Sequence, residues 1–332
     1  MSSKILPAEW HYQKCIQMAW PNENTDWNDY LSEAIKCWTD TIYKITELGE
    51  NVVLIACVPN EAKKHFSEET LKRVNIVKAD INDTWTRDYG CISIVENGEI
   101  KRLDFQFNGW GDKFDARLDN ATNAKIFSDC VKRNIVLEGG SIESDGKGTI
   151  LTTKSCLLGP NRNGFKTCEE AEKMLKEELG AKRVLWLTEG FLTGDDTDGH
   201  IDMLARFAPD DTIVYVGKPE SNLDEHYYAM IAMENELKHF TTEEGKPYRL
   251  LKLPFPSPVF YDGERLPASY ANFLVINGAV LVPTYNQPEN DKEALDVIQQ
   301  AFPKHKVVPV DCSVLIRQHG SLHCSTMQHP QI

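Results

Sequence analysis

Asp26-Trp27-Asn-Asp-Tyr-Leu31-Ser-Glu-Ala34-Ile35-Lys-Cys-Trp38-Thr-Asp-Thr-Ile42, stopped by Gly49 and followed by Asn51-Val-Val-Leu-Ile-Ala-Cys-Val58, sets the architecture of this chain. Trp27, Leu31, Ala34, Ile35, Trp38 and Ile42 recur at helical spacing, so residues 26–48 read as an amphipathic helix. The apolar run behind it reads as a strand. The same unit, helix then break then strand, recurs along the sequence. Residues 61–73 lead to a strand at 74–78, and 119–133 to one at 135–137. Residues 168–179, with Thr167 as N-cap and Gly180 as stop, lead to 183–187. Residues 222–240 lead to 249–253, and 291–302 to 306–310. Hairpins are interleaved. Residues 273–282 turn through Asn277-Gly278, a type I′ signal. Residues 91–95 turn through Asn97-Gly98, and 149–153 read as a further hairpin strand. The class is α/β. Two arrangements satisfy it: one wound sheet, or a radial array of small α/β blades.

The chain has 332 residues, 41% hydrophobic and 26% charged, as in a soluble globular protein. No linker or low-complexity stretch divides it, so residues 1–332 are expected to form a single domain. The net charge of -14 argues against nucleic acid as a partner. It suits small cations. No apolar run reaches the length of a membrane helix, and the N-terminus lacks an apolar signal region. Nine scattered cysteines include no C-x-x-C pair, which disfavours a zinc ribbon or disulfide scaffold. Reduced thiols in a cytoplasm are the expectation.

The polar motifs follow the strands. Asp83-Thr-Trp85-Thr-Arg87-Asp88-Tyr89-Gly90 comes after 74–78, and Glu138-Gly139-Gly140 after 135–137. Gly194-Asp195-Asp196-Thr197-Asp198-Gly199-His200-Ile201-Asp202 comes after 183–187. His319-Gly320-Ser321-Leu322-His323-Cys324 comes after 306–310. In a radial array the equivalent strand ends face one axis, and the four motifs would meet.

Their chemistry is that of a cationic substrate. In a strand-like segment His200 and Asp202 would point to one side, an acid/base group beside an anion. Asp196, Asp198 and Asp202 are expected to raise the pKa of His200. Cys324, in a Gly/Ser/His segment, is the candidate nucleophile. Asp88 and Asp202 could grip a planar guanidinium bidentately, unless Asp88 pairs with its neighbour Arg87. Trp85 is either core or a stacking surface. Glu138 is a turn residue or a third carboxylate. A metal site is disfavoured: an EF-hand would need an acid at Gly194 and a glutamate at Ala205, and no His-Glu-x-x-His motif accompanies His200.

Trp85-Thr-Arg87-Asp88, Glu138-Gly139-Gly140-Ser141, Thr197-Asp198-Gly199-His200-Ile201-Asp202, Ser269-Tyr270-Ala271-Asn272-Phe273 and Leu322-His323-Cys324 occur in the order found in agmatine deiminases. Porphyromonas-type peptidylarginine deiminases share the set. Pro7-Ala8-Glu9-Trp10 and Met18-Ala19-Trp20-Pro21 resemble the agmatine deiminase opening. The resemblance spans about residues 7 to 330. It implies a five-bladed α/β-propeller, the pentein fold of guanidine-modifying enzymes. It also implies conversion of agmatine to N-carbamoylputrescine and ammonia in polyamine synthesis, without a cofactor, by a homodimer. Cys324 would attack the guanidinium carbon, Asp88 and Asp202 would hold its nitrogens, and His200 would serve departing ammonia and then water. Glu138 would orient His200 or the guanidinium. Asp196 looks like the acid that meets the agmatine amine. Trp85 would line the channel, and Asp198 and Asn272 are further substrate-binding candidates. The run Gln318-His319-Gly320-Ser321, Tyr89 and Met327-Gln328-His329 depart from the commonest pattern, which bears on side-chain specificity. The alternatives are an arginine or peptidyl-arginine deiminase, and a guanidine-binding protein without turnover.

Overall fold

The computed structural model describes residues 4–332. The chain is α/β, with five sheets of three or four strands and one two-stranded ribbon among the described residues. One wiring recurs. Ala205–Ala208 pairs antiparallel with Thr212–Val216, which pairs parallel with Arg249–Leu253. Leu274–Ile276, Ala279–Thr284 and Lys306–Asp311 repeat it, as do Ile142–Ser144, Thr149–Thr153 and Arg183–Leu187. Ile92–Glu96, Glu99–Gln106 and Val131–Val136 form a fourth copy. In the fifth, the last strand, Met327–Pro330, pairs with Gln13–Ala19 near the chain's start, and Val52–Ala56 and Val74–Lys78 continue it in parallel. The end of the chain thereby carries Cys324 back to the beginning.

A parallel pair needs a crossover, usually a helix. Leu31–Glu47, Cys168–Leu179, Tyr227–His239 and Pro288–Ala301 supply it in four copies. The first buries Ala34, Trp38, Ile42 and Ile45 in one stripe, as its periodicity requires. Thr167 caps the second through Glu170 N–H, and Gly180 ends it at φ 74°.

Three local expectations are corrected. Residues 119–133 do not form one helix. Short turns at Asp119–Ala121 and Asn123–Ile126 give way to a strand at Val131–Val136. The Asp119 carboxylate accepts from the amides of Asn82 and Asp83, and Asn123 donates to Tyr89 O and Asp104, so polar ties fix the segment against the protein. Residues 61–73 split into Pro59–Lys63 and Glu68–Leu71, the second capped by Ser67. A type I′ turn needs positive φ at both central residues. Asn97-Gly98 meets this at 53° and 82°, whereas at Asn277-Gly278 only the glycine does. Asn277 is instead tied by its side chain to Glu50 and Gln13.

Candidate active site

The four motifs converge around Gly140. A Cβ built there would lie 2.6 Å from His200 Nδ1, 3.0 Å from Asp88 Oδ1 and 3.1 Å from Asp202 Oδ2. Only glycine leaves room for these three side chains to share one point. Cys324 stands beside them, its Sγ 3.8 Å from Asp202 Oδ2. Sγ is also 3.3 Å and 3.4 Å from the Asn272 amide nitrogen and oxygen. That oxygen accepts from the His323 and Cys324 amides as well. Asn272 therefore shapes the turn that presents the thiol.

Asp88 lies on the one-turn helix Thr86–Tyr89. The Trp110 indole donates to Oδ2 at 2.9 Å, and Gly140 N–H to Oδ1 at 3.0 Å. Its neighbour Arg87 points away, donating to Gln328 and to His323 O. The alternative pairing of Asp88 with Arg87 is therefore not made. Burial raises the Asp88 pKa, and His200 restrains the rise.

His200 and Asp202 do not share a strand. Asp198 and Gly199 adopt φ 67° and 95°, and His200 opens a short 3-10 turn, Ile201–Met203. The carboxylates facing His200 are also not its sequence neighbours. They are Asp88, 3.7 Å from Nδ1, and Glu138, 3.5 Å from Nε2. Burial would lower the His200 pKa. Asp88, and then Cys156 and Glu138, outweigh it and hold the imidazole well above its ordinary value.

Glu138 is pinned by Arg162, whose Nε donates to both carboxylate oxygens at 3.1 and 2.9 Å, and by the Cys156 thiol at 3.6 Å. Burial would raise Glu138, but His200 and Arg162 hold it below its usual value. Arg162 also donates to Thr197 O and to Asp198 Oδ2, and Lys113 donates to Asp198 Oδ1. Asp198 thus clamps the loop before His200 and is absent from the cavity wall. Asp195 accepts from the Thr197 and Gly199 amides within that loop.

Asp202 is braced from behind. His323 Nδ1 lies 2.8 Å from Oδ2, and His323 Nε2 lies 2.7 Å from Glu9 Oε2. Buried Arg206 pairs with both Glu9 and Glu143. Burial would raise Asp202, but His323, His200 and Arg206 lower it. Cys324 goes the other way. Burial, Asp202 and Asp88 push its thiol well above the ordinary value.

Two clusters have metal-ligating atoms within 4.8 Å of one another: Glu138, Cys156 and His200, and Glu9, Glu143 and His323. In both, a guanidinium, from Arg162 or Arg206, already supplies positive charge to the carboxylates.

A cavity of about 410 Å³ leads to Cys324. Asp88, Trp85, Trp110, Phe107 and Phe114 line it, and Trp85 packs on Trp27 behind. Its walls hold seven aspartates, Asp196 among them, and no lysine or arginine. Beside the wall residues Asp88 and Cys324, His200 Nδ1 and Asp202 Oδ1 are buried without a hydrogen-bond partner. Residues 5–330 match the family described as Porphyromonas-type peptidyl-arginine deiminase.

The chain belongs to this family. An agmatine deiminase of Ectopseudomonas mendocina is 32% identical over 98% of this chain and 95% of its own length. An agmatine deiminase of C. jejuni, solved with substrate bound after a cysteine-to-serine change, is 41% identical at a TM-score of 0.93, covering 99% and 97% of the two chains. A Porphyromonas gingivalis structure provisionally named an arginine deiminase is 44% identical at 0.94, covering 99% of each. The family's fold here uses residues that sequence reading passed over: Trp110, Cys156, Arg162, Arg206 and Glu9. Glu9 lies in the Pro7-Ala8-Glu9-Trp10 opening, where nothing local signals its pairing with Arg206 and His323. Trp110 sits between two glycines, a signal of special backbone, and has φ 55°.

Proposed function

We propose that this protein is an agmatine deiminase, hydrolysing agmatine to N-carbamoylputrescine and ammonia. One observation carries the reading: an aromatic cavity with seven aspartates and no lysine or arginine in its walls ends at Cys324 between two buried carboxylates. Agmatine brings a guanidinium to Asp88 and Asp202 and an amine to the acidic mouth at Asp196. The resting thiol is protonated, because burial and the carboxylates beside it disfavour a further anion. A bound guanidinium neutralises those carboxylates and so favours the thiolate, the thiol proton passing to solvent. Cys324 Sγ then attacks the guanidinium carbon, held in orientation by the two aspartates. His200 gives a proton to the departing nitrogen, and ammonia leaves. Water, deprotonated by His200, attacks the S-alkylthiouronium carbon. The C–S bond breaks and the ureido product and thiol are released. Side chains and water supply every step.

A second reading, deimination of arginine or peptidyl-arginine, draws on the name of the P. gingivalis relative. His319, on the cavity wall, is the group that could meet a substrate carboxylate. Its Nδ1 already faces Gly194 O at 2.7 Å and Asp196 at 4.0 Å, which favours the amine. The five similarly wired sheets support a pentein propeller with five blades in a single domain. No helix among the described residues is long and apolar enough to cross a membrane, and the free cysteines fit a cytoplasmic setting. A homodimer, implied by the resemblance, is checked by light scattering.

Purified protein is incubated with agmatine, arginine and a blocked peptidyl-arginine, and ureido product is measured, with Cys324→Ala as control. Product from agmatine alone, lost in the variant, is expected. Product from arginine or the peptide would transfer the substrate and keep the chemistry. Binding of agmatine without any product would sink the enzyme reading.

A further inference from the structure

Cys91 and Cys130 take no part in the machinery above. Their Sγ atoms lie 2.8 Å apart, closer than two thiols in ordinary contact. Cys91 is buried directly behind Gly90 and the helix that carries Asp88. Cys130 is half-buried and begins the approach to Val131–Val136. Cys130 closes the crossover from Glu99–Gln106 to Val131–Val136, which has only short helical turns and bears Phe107, Trp110 and Phe114 on the cavity wall. A covalent tie there would fasten the cavity wall where helix packing does not.

We propose that Cys91 and Cys130 are a modification site, forming a reversible disulfide when a hydroperoxide supplies the oxidant. Cys130, the more accessible thiol, attacks one peroxide oxygen. The O–O bond breaks, an alcohol or water leaves, and Cys130 becomes a sulfenic acid. The Cys91 sulfur attacks the Cys130 sulfur, water leaves, and the S–S bond forms. Two thiols lose two electrons and two protons, and one peroxide is reduced. Contact with Cys91 lowers the Cys130 pKa, which favours its attack, whereas Cys324 is buried and held as a thiol. The pair therefore reacts ahead of the nucleophile. None of this rests on the deiminase reading.

The test uses the full-length chain, reduced, freed of reductant and exposed to one equivalent of hydrogen peroxide. Free thiols are alkylated in denaturant and peptides are mapped by mass spectrometry without reduction. The expected result is a Cys91–Cys130 linked peptide, reversed by dithiothreitol, while Cys324 is still alkylated. Cys130→Ser, at the more accessible position, should yield no linked peptide and leave Cys91 alkylated. Cys130 as sulfinic acid beside a free Cys91, a link to another cysteine, or Cys324 consumed first would each overturn the proposal.

Discussion

Asp88 and Asp202 flank the same thiol, are equally buried, and are driven in opposite directions. Asp88 is held by neutral donors, the Trp110 indole and the Gly140 amide, with Glu138 and Asp202 as nearby like charges. Its pKa rises. Asp202 is backed by His323 and, one layer out, by Arg206. Its pKa falls. Burial penalises both anions alike, so the difference lies in the layer behind. Asp202 is a fixed anion, whereas Asp88, restrained by one cation, His200, is stabilised as an anion most when a further cation arrives. That division suits a site which must attract a guanidinium and still release a neutral product.

The sharpest way to break this comparison is to neutralise each partner. Asp88→Asn and Asp202→Asn should each lower kcat/KM by about a thousandfold or more, since either loses half the grip on the guanidinium. Their stabilities should part. Asp202→Asn takes from His323 one of the two buried carboxylates that hold it, leaving Glu9, and should cost about 2–3 kcal/mol by urea denaturation. Asp88→Asn removes an anion that burial disfavours and should be neutral or stabilising. The pH dependence separates them too. Stability from the lowered Asp202 is present above the ordinary carboxylate pKa and is lost as pH falls through its folded value. Stability from the raised Asp88 is present below the ordinary pKa and is lost as pH rises through its folded value. Equal stability losses in the two variants would end the distinction.

A second pair of braces can be compared in the same way. Arg162 holds Glu138 and the loop before His200, as His323 and Arg206 hold Asp202. Arg162→Lys keeps the charge but loses the fork that reaches Glu138, Asp198 and Thr197 together. A fall of about 10- to 100-fold in kcat with little change in KM is expected, because the group displaced, His200, is the proton carrier of the proposed mechanism. A rise in KM alone would place Arg162 in substrate binding instead.

How much of this was legible depended on distance along the chain. The helix over Leu31–Glu47 announced itself because its buried stripe is a local pattern. The convergence of four motifs was legible because each followed a strand. Residues 119–133 misled because their turns answer to Asp119 and Asn123 making contacts elsewhere, which periodicity does not encode. His200 was credited with the charges of its sequence neighbours, yet Asp196 faces the cavity and Asp198 faces Arg162 and Lys113. The carboxylates that act on it arrive from 62 residues away at Glu138 and from another helix at Asp88. Glu9, Arg162 and Arg206 look like ordinary surface charges in sequence. Only folding shows that each neutralises a buried partner.

Trp110→Phe probes the neutral side of the comparison more gently. It deletes one indole N–H from Asp88 and keeps an aromatic wall. A hydrogen bond to a charged group contributes about 1.5–3 kcal/mol, so a loss of roughly 10-fold or somewhat more in kcat/KM is expected. The Asp88 pKa should rise further, moving the acid limb of the kcat/KM profile to higher pH. An unchanged profile would mean that the indole only fills space.

The smallest effect lies elsewhere on the cavity wall, where buried Asp83 and Asp119 repeat the Asp88 situation. Burial pushes Asp83 up to about 7 and Asp119 up to about 8, although amides of Asn82 and Asp83 donate to Asp119. Both are raised from about 3.9 in the unfolded chain. Their contribution to stability is therefore complete below about pH 4 and is lost as pH rises through about 7 to 8. Asp119→Asn keeps the acceptor oxygen for both amides and removes the titration. Melting temperatures between pH 6 and pH 9 should fall less steeply in the variant, by a few degrees over the range. Agmatine, as a cation bound beside the ionised wall, should flatten the wild-type curve and barely alter the variant's slope. Parallel curves for the two proteins, with and without agmatine, would show that Asp83 and Asp119 are already solvated anions. The contrast of braced and unbraced carboxylates would then stop at Asp88.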